Sequence, residues 1–364
     1  MSKIKQRESN LELYRIIVML LIVAHHYVVN SGLINVGGPV YSDVLSGRSL
    51  YLLLFGAWGK TGINCFVLIT GYFMCKSQIT LKKFAKLIVE VMFYRIIISS
   101  VFWITSYTHF TFEGFVKTII PVRTIDTGFT GAYLVFFLFI PFLNILIKNM
   151  TEKQHILLLC LLSFTYIFLG TVPFFSVRMN YVSWFITLYF IASYIRIYPK
   201  KIFENTKLWG WATLFSLVIA TASVVVCAYI SDRLKLSVAY IFVQDSNTFL
   251  AVLVGITSFL FFKNLKMKHS WLINKISATG FGVLLIHANS DIMRKWLWQD
   301  VLKNVEMYNS SYLIVHSILS VLCVFIVCST IDLLRINFIE KPFFRLWEKK
   351  YDQIKEKLIQ KKKV

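Results

Sequence analysis

The chain has 364 residues, 57% of them hydrophobic and only 16% charged, with a mean hydropathy of +0.65 and a formal charge of +21. That composition excludes a soluble globule of this length and indicates an integral membrane protein. Apolar runs of about 17–25 residues recur along almost the whole chain, long enough for a helix to cross a ~30 Å hydrocarbon core, whereas β-barrel strands would show about ten residues of strict alternation.

The fold class expected is therefore all-α, a polytopic membrane bundle of about ten transmembrane helices. The spans fall near 11–30, 49–75, 84–107, 129–147, 155–173, 181–198, 208–230, 239–262, 277–297 and 311–334. With the N-terminus inside, cytosolic segments collect Lys3, Lys5, Arg7, Lys76, Lys82, Lys83, Lys86, Lys148, Lys153, Arg196, Lys200 and the basic C-terminal tail, while Arg48, Lys117, Arg123, Arg178, Arg233 and Arg294 are among the fewer that fall outside. The positive-inside rule then places both termini in the cytosol. Topology accounts for most of the charge, which alternates with the spans and forms no folded basic face, so no nucleic-acid partner is expected.

Span 1 reads Asn10-Leu-Glu-Leu-Tyr-Arg15 and continues through an apolar stretch to His25-His26. It lacks a small-residue cleavage site and is expected to stay in the protein. At ~100° and ~1.5 Å per residue, Arg15 and His26 lie ~20° apart on one helix face and ~16 Å apart along it. His25 points ~80° away by the same arithmetic. Ionisable groups in hydrocarbon are costly and mark a site by default. Here His26 is either a general base or a helix-to-helix hydrogen-bonding group, and Arg15 either an anion anchor or a side chain snorkelling to the headgroups.

Span 2 carries small residues at Gly56, Gly59 and Gly62 and again at Thr70-Gly71, which let neighbouring backbones approach closely. Lys60 lies ~22 Å from the inner boundary and reaches the outer interface, with Asn64 one turn deeper. Between spans 2 and 3, Lys82, Lys83 and Lys86 with Lys76 form a cytosolic cluster that is either a set of topology signals or a phosphate-binding patch. Glu90, one turn after Lys86, is its expected ion-pair partner. Arg95 at mid-depth in span 3 needs a partner or lines a tunnel. The segments 31–48 and 108–128 face outward and are expected to form lids or interfacial helices over an outward cavity.

Asp245 and Asn247 fall in the outer part of span 8, and span 9 holds His287, Asn289, Asp291 and Arg294. The outer half thus collects His26, Lys60, Asp245, Asn289 and Asp291, groups that suit hydroxyl-rich ligands, while the inner half offers Arg15 and lysines, which suit phosphates. The six cysteines show no CxxC pair and no clustering with histidine, so neither disulfides nor a metal site is expected.

Several segments taken in order resemble the acyltransferase 3 family of membrane O-acyltransferases, from Leu11 to Trp347. They are Arg15 and His26 with ten residues between, Gly62-Ile-Asn-Cys-Phe66 through Thr70-Gly71-Tyr72, Pro141-Phe-Leu-Asn144, Trp184-Phe185-Ile-Thr-Leu-Tyr189, Gly282-Val-Leu-Leu-Ile-His287 and Ile339-Glu340-Lys-Pro342. The resemblance implies one transmembrane domain over 1–347 with a basic cytosolic tail over 348–364, in a multi-pass protein of a bacterial cytoplasmic membrane. It implies transfer of an acyl group, usually acetyl, from cytosolic acyl-CoA to a hydroxyl of a cell-envelope glycan. Where many family members carry paired arginines around the third span, this chain has Lys82, Lys83, Lys86 and Arg95. The extracytoplasmic hydrolase-like domain frequent in the family is not expected here.

On this reading Arg15, with Lys82, Lys83, Lys86 and Arg95, holds the acetyl-CoA donor, and His26 is the base that activates the acceptor hydroxyl or forms an acyl-histidine. Lys60, Asn64, Asp245, His287, Asn289 and Asp291 are the acceptor-binding candidates. The partners are acyl-CoA, a surface glycan or lipid-linked sugar, and membrane lipid. The competing class is a carrier or flippase for lipid-linked sugars, which needs a polar path but cleaves no thioester.

Overall fold

In a computed structural model, residues 8–123, 128–172, 175 and 179–350 are described. The topology signals Lys3, Lys5, Arg7 and Arg178 and the tail from residue 351 onward lie outside the described residues. All regular structure among the described residues is helical. Among the described residues seven helices are long and apolar enough to cross a membrane: α1 (Ser9–Val29), the jointed span α2 (Gly47–Gly56) and α3 (Gly59–Met74), α4 (Leu81–Ile104), α6 (Phe129–Asn149), α7 (Glu152–Thr171), α9 (Thr206–Leu234) and α13 (Leu313–Lys350). Between α4 and α6 lies the short helix α5 (Phe112–Ile119), capped by the Thr111 hydroxyl. The polytopic helical bundle expected from the hydropathy is what the chain forms.

One expected span keeps its bounds as a short helix, and two depart from their predicted form. The helix α8 (Tyr181–Ile197) has 17 residues and stops before Pro199, as the residue preceding a proline is forced out of the α region. The helix α10 (Phe249–Asn264) begins ten residues after the predicted start at 239. Residues 239–248 form turns instead, in which Tyr240 donates to the Leu53 carbonyl at 2.8 Å and Thr248 N–H donates to the Asp245 carbonyl at 3.2 Å. The run Gln244-Asp245-Ser246-Asn247 supplies side chains that compete with helical bonding.

The ninth span is broken. Trp271–His287 (α11) and Asp291–Asn309 (α12) meet at a bend of 94°. Ser290 accepts from Met293 N–H at 3.1 Å, and Asp291 sits in the first turn, so Ser290-Asp291 starts a new helix where a continuous one was expected.

The helix α1 sits at the middle of the bundle, packed against α2, α3, α10, α11 and α13. The small residues of the second span make this possible. A methyl group on Gly56 would meet Val28 at 2.7 Å, one on Gly62 would meet Ile22 at 2.8 Å, and one on Gly59 would overlap the His25 ring. At close helix contacts in a membrane, glycine is the residue that lets backbones touch. Its placement here leaves room for a histidine ring between two helices.

Candidate functional site

A cavity of about 670 Å³ opens at one end of the bundle. Its wall on α1 runs from Val29 through His26, His25 and Ile22 down to Met19. Met19 is fully buried and Ile22 nearly so, and with Phe66 and Leu284 they make the floor. Arg15 is one turn, ~6 Å, below Met19 on the same face. The stripe read from the sequence is therefore real on α1 but interrupted, with a cavity above Met19 and a separate polar end below it.

Both histidines of α1 line this cavity. The ~80° that helix geometry puts between His25 and Arg15 does not exclude His25, because Gly59 gives its ring space and the Gly56 carbonyl holds its Nδ1 at 2.6 Å. A carbonyl only accepts, so His25 Nδ1 carries its proton and Nε2 its lone pair. His26 is unlike its neighbour: its Nδ1 is buried and has no partner among the described residues. Behind it stands His287, fully buried, with the two ring centroids 5.1 Å apart in an edge-to-face arrangement. His287 Nδ1 donates to the Val283 carbonyl at 2.6 Å, which leaves Nε2 as an acceptor, also buried and unpartnered. Two adjacent imidazoles with one open nitrogen each form a pair that a proton can join.

The rest of the lining is strongly cationic. Lys60 of α3 donates to the Tyr181 hydroxyl at 2.9 Å and lies 5.6 Å from that ring's centre. Arg95 of α4 crosses to α5, donating to the Thr118 carbonyl at 2.9 Å and to that of Lys117. Lys117, Arg123 and Arg294 complete the basic wall, and the broken span brings Asn289 and Asp291 to its edge. Asp291 is paired with Arg294. From the segment expected to lie over an outward cavity, Lys117, Ile120, Pro121, Arg123 and Gly128 line this one; residues 124–127 lie outside the described residues.

Other predicted site residues lie elsewhere. Asn64 is fully buried and spends its amide on the scaffold, accepting from Trp184 Nε1 at 2.9 Å and donating to the Ser246 carbonyl at 2.6 Å. Asp245 is exposed in the turn before α10 and does not line the cavity. Arg15 pairs with Glu12 at 3.1 Å, and Glu12 in turn accepts from Ser277 at 2.6 Å. Lys82 is paired with Glu348, and Lys86 with Glu340 at 2.5 Å. Among the described residues Lys83 bonds neutral groups, the Ser77 hydroxyl at 2.7 Å and the Gln78 carbonyl at 2.8 Å. The expected Lys86–Glu90 pair does not form, because Glu90 faces the bundle and meets Arg335 at 2.9 Å.

That arginine anchors a buried network invisible to the sequence reading. Arg335 also bonds Asp332 at 2.7 Å and Glu340 at 2.8 Å, and Tyr94 donates to Asp332 at 2.7 Å. The guanidinium and its three carboxyl partners come from α4 and α13, segments too far apart in sequence for a spacing argument to join Glu90 to Arg335. One local signal existed, the carboxylate and guanidinium of Asp332 and Arg335 one turn apart in an apolar helix. Of the other cavity residues, Lys117, Arg123 and Arg294 carry only a topology signal in the sequence, and Tyr181 carries none.

A family model described as an acyltransferase domain matches residues 8–331 of the chain. Searches of curated proteins and of solved structures return no match.

Proposed function

The chain belongs to the acyltransferase 3 family and is a multi-pass membrane acyltransferase, and we propose that it moves an acetyl group from acetyl-CoA on the cytosolic side of a bacterial membrane to a hydroxyl of a cell-envelope glycan. The observation that carries this reading is the placement of His26 in a cavity whose floor, Met19, lies one turn above Arg15. Acyl transfer across a membrane needs a donor end and an acceptor end separated by a short, closable passage. The positive-inside bias puts the Arg15 end in the cytosol and the cavity outside.

Donor phosphates dock at Arg15 and Lys83, a lysine of the cytosolic cluster that, unlike Lys82 and Lys86, holds no carboxylate among the described residues. The thioester arm then passes Met19, an unbranched side chain that can yield without a backbone shift. In the cavity the acceptor hydroxyl gives its proton to His26 Nε2 while its oxygen attacks the thioester carbonyl. The C–S bond breaks, and the leaving thiolate takes that proton to become coenzyme A thiol. The His287 ring, 5.1 Å away and fixed by Val283, offers an open Nε2 that His26 Nδ1–H takes up by a turn of its own ring as the acceptor binds, which holds the base in the required tautomer. His287 is in this sense a positioning residue.

The test is labelled acetyl-CoA supplied to membranes that contain the protein and its glycan acceptor. Label should enter glycan, and His26→Ala should lower the rate at least about 100-fold, the low end for loss of a general base, while the protein still inserts. Undiminished transfer by that variant, or no label in glycan with the wild-type protein, would overturn the proposal.

A further inference from the structure

The wall of the His26 cavity is charged in a way that a neutral sugar does not require. Lys60, Arg95, Lys117, Arg123 and Arg294 all line it, whereas Asp291 is the lining carboxylate among the described residues. Asp291 is committed to Arg294, and Lys117 to Glu113 on the exposed face of α5. Glu113 also feels Arg123 at longer range, as Lys60 feels Asp245. The direct partners of Lys60 and Arg95 are neutral, a phenol and two backbone carbonyls.

Cations gathered around one cavity repel each other, and those it buries are expensive to desolvate, so their number calls for an anion beyond the carboxylates found among the described residues. Arginine forks match phosphate and carboxylate oxygens, and Lys60 adds a point charge close to the histidines. We infer that the acceptor is an anionic glycan, with a phosphate or carboxylate next to the hydroxyl that is acylated. The inference rests on the acyl-transfer reading above for the word acceptor, and on the cavity alone for the charge.

Binding and turnover separate the two. Full-length protein in detergent is titrated with N-acetylglucosamine 1-phosphate against N-acetylglucosamine, and with glucuronic acid against glucose, without acetyl-CoA. The same four compounds are then offered with acetyl-CoA while thiol release is followed. The charged member of each pair should bind at least tenfold tighter, with a preference that shrinks as salt is raised. Lys60→Gln and Arg123→Gln should remove most of that preference; Arg123 is exposed, so its variant is the one certain to keep the fold. Equal binding within each pair would overturn the inference. So would competition between coenzyme A and the sugar phosphate for one site, which would give these cations to the donor. A clear charge preference with no thiol release from any acceptor would uphold the anion site and strike instead at acyl transfer.

Discussion

Replacing Arg335 by methionine removes the one group that holds Glu90, Asp332 and Glu340 together, at 2.9, 2.7 and 2.8 Å. The side chain is 4% exposed, and Asp332 is not exposed at all, so water cannot take over. At an effective dielectric of about 20, each contact near 2.8 Å is worth roughly 6 kcal/mol before desolvation and before the repulsion among the carboxylates. Breaking a buried pair by deleting one partner costs about 3–5 kcal/mol net, and the loss should fall in that range, since Glu340 keeps Lys86 and Asp332 keeps the Tyr94 hydroxyl while Glu90 loses its ion-pair partner. Deleting one carboxylate should do less: Asp332→Asn leaves Arg335 with Glu90 and Glu340, and Asp332 already has one oxygen without a partner.

The consequence reaches the site through Gly282, where a methyl group would overlap the Asp332 carboxylate. That contact sets the approach of α13 to the helix that carries His287. The assay is heating in detergent with a thiol-reactive dye, read on the buried Cys65, Cys227 and Cys328. Taking about 2 °C per kcal/mol for a chain of this size, Arg335→Met should lower the apparent Tm by roughly 6–10 °C at a fixed scan rate. Asp332→Asn should lower it by less than half as much. If Arg335→Met melts with the wild type, or if Asp332→Asn is the more damaging change, the account of this network as a charge clasp is wrong.

His287→Gln should slow acyl transfer about 10–100-fold with little change in KM for acetyl-CoA, and should change the pH–rate profile, since the tautomer of His26 loses its partner; a variant that only unfolds sooner, with an unaltered profile, would reduce His287 to packing. At the other end, Lys83→Gln should raise KM for acetyl-CoA several-fold, whereas Lys82→Gln, already neutralised by Glu348, should change it little. Equal effects of the two substitutions would show that the cluster acts only as a topology signal.

The sequence by itself determined the solvent, the class of fold and the family. A chain that is 57% hydrophobic, with span-length apolar runs, has no other way to satisfy its backbone in lipid than by helices, and the spacing of Arg15 and His26 follows from helix geometry alone. The role of Gly56, Gly59 and Gly62 in close packing was legible for the same reason, since a missing Cβ means one thing in any neighbourhood. Other features depended on contacts between segments remote in the chain. Hydropathy sees the apolar run before Asp245 but not the Ser246 carbonyl waiting for Asn64, which turns it into a loop. Helix spacing offers Lys86 to Glu90, but the side on which each faces the bundle gives Glu90 to Arg335 instead. The closing of the His25–His26 face by His287, the floor at Met19 and the gathering of five cations from four helices and one turn were decided only when α1 was enclosed by its neighbours. Periodicity specifies which residues share a face; it carries no information about what the face will meet.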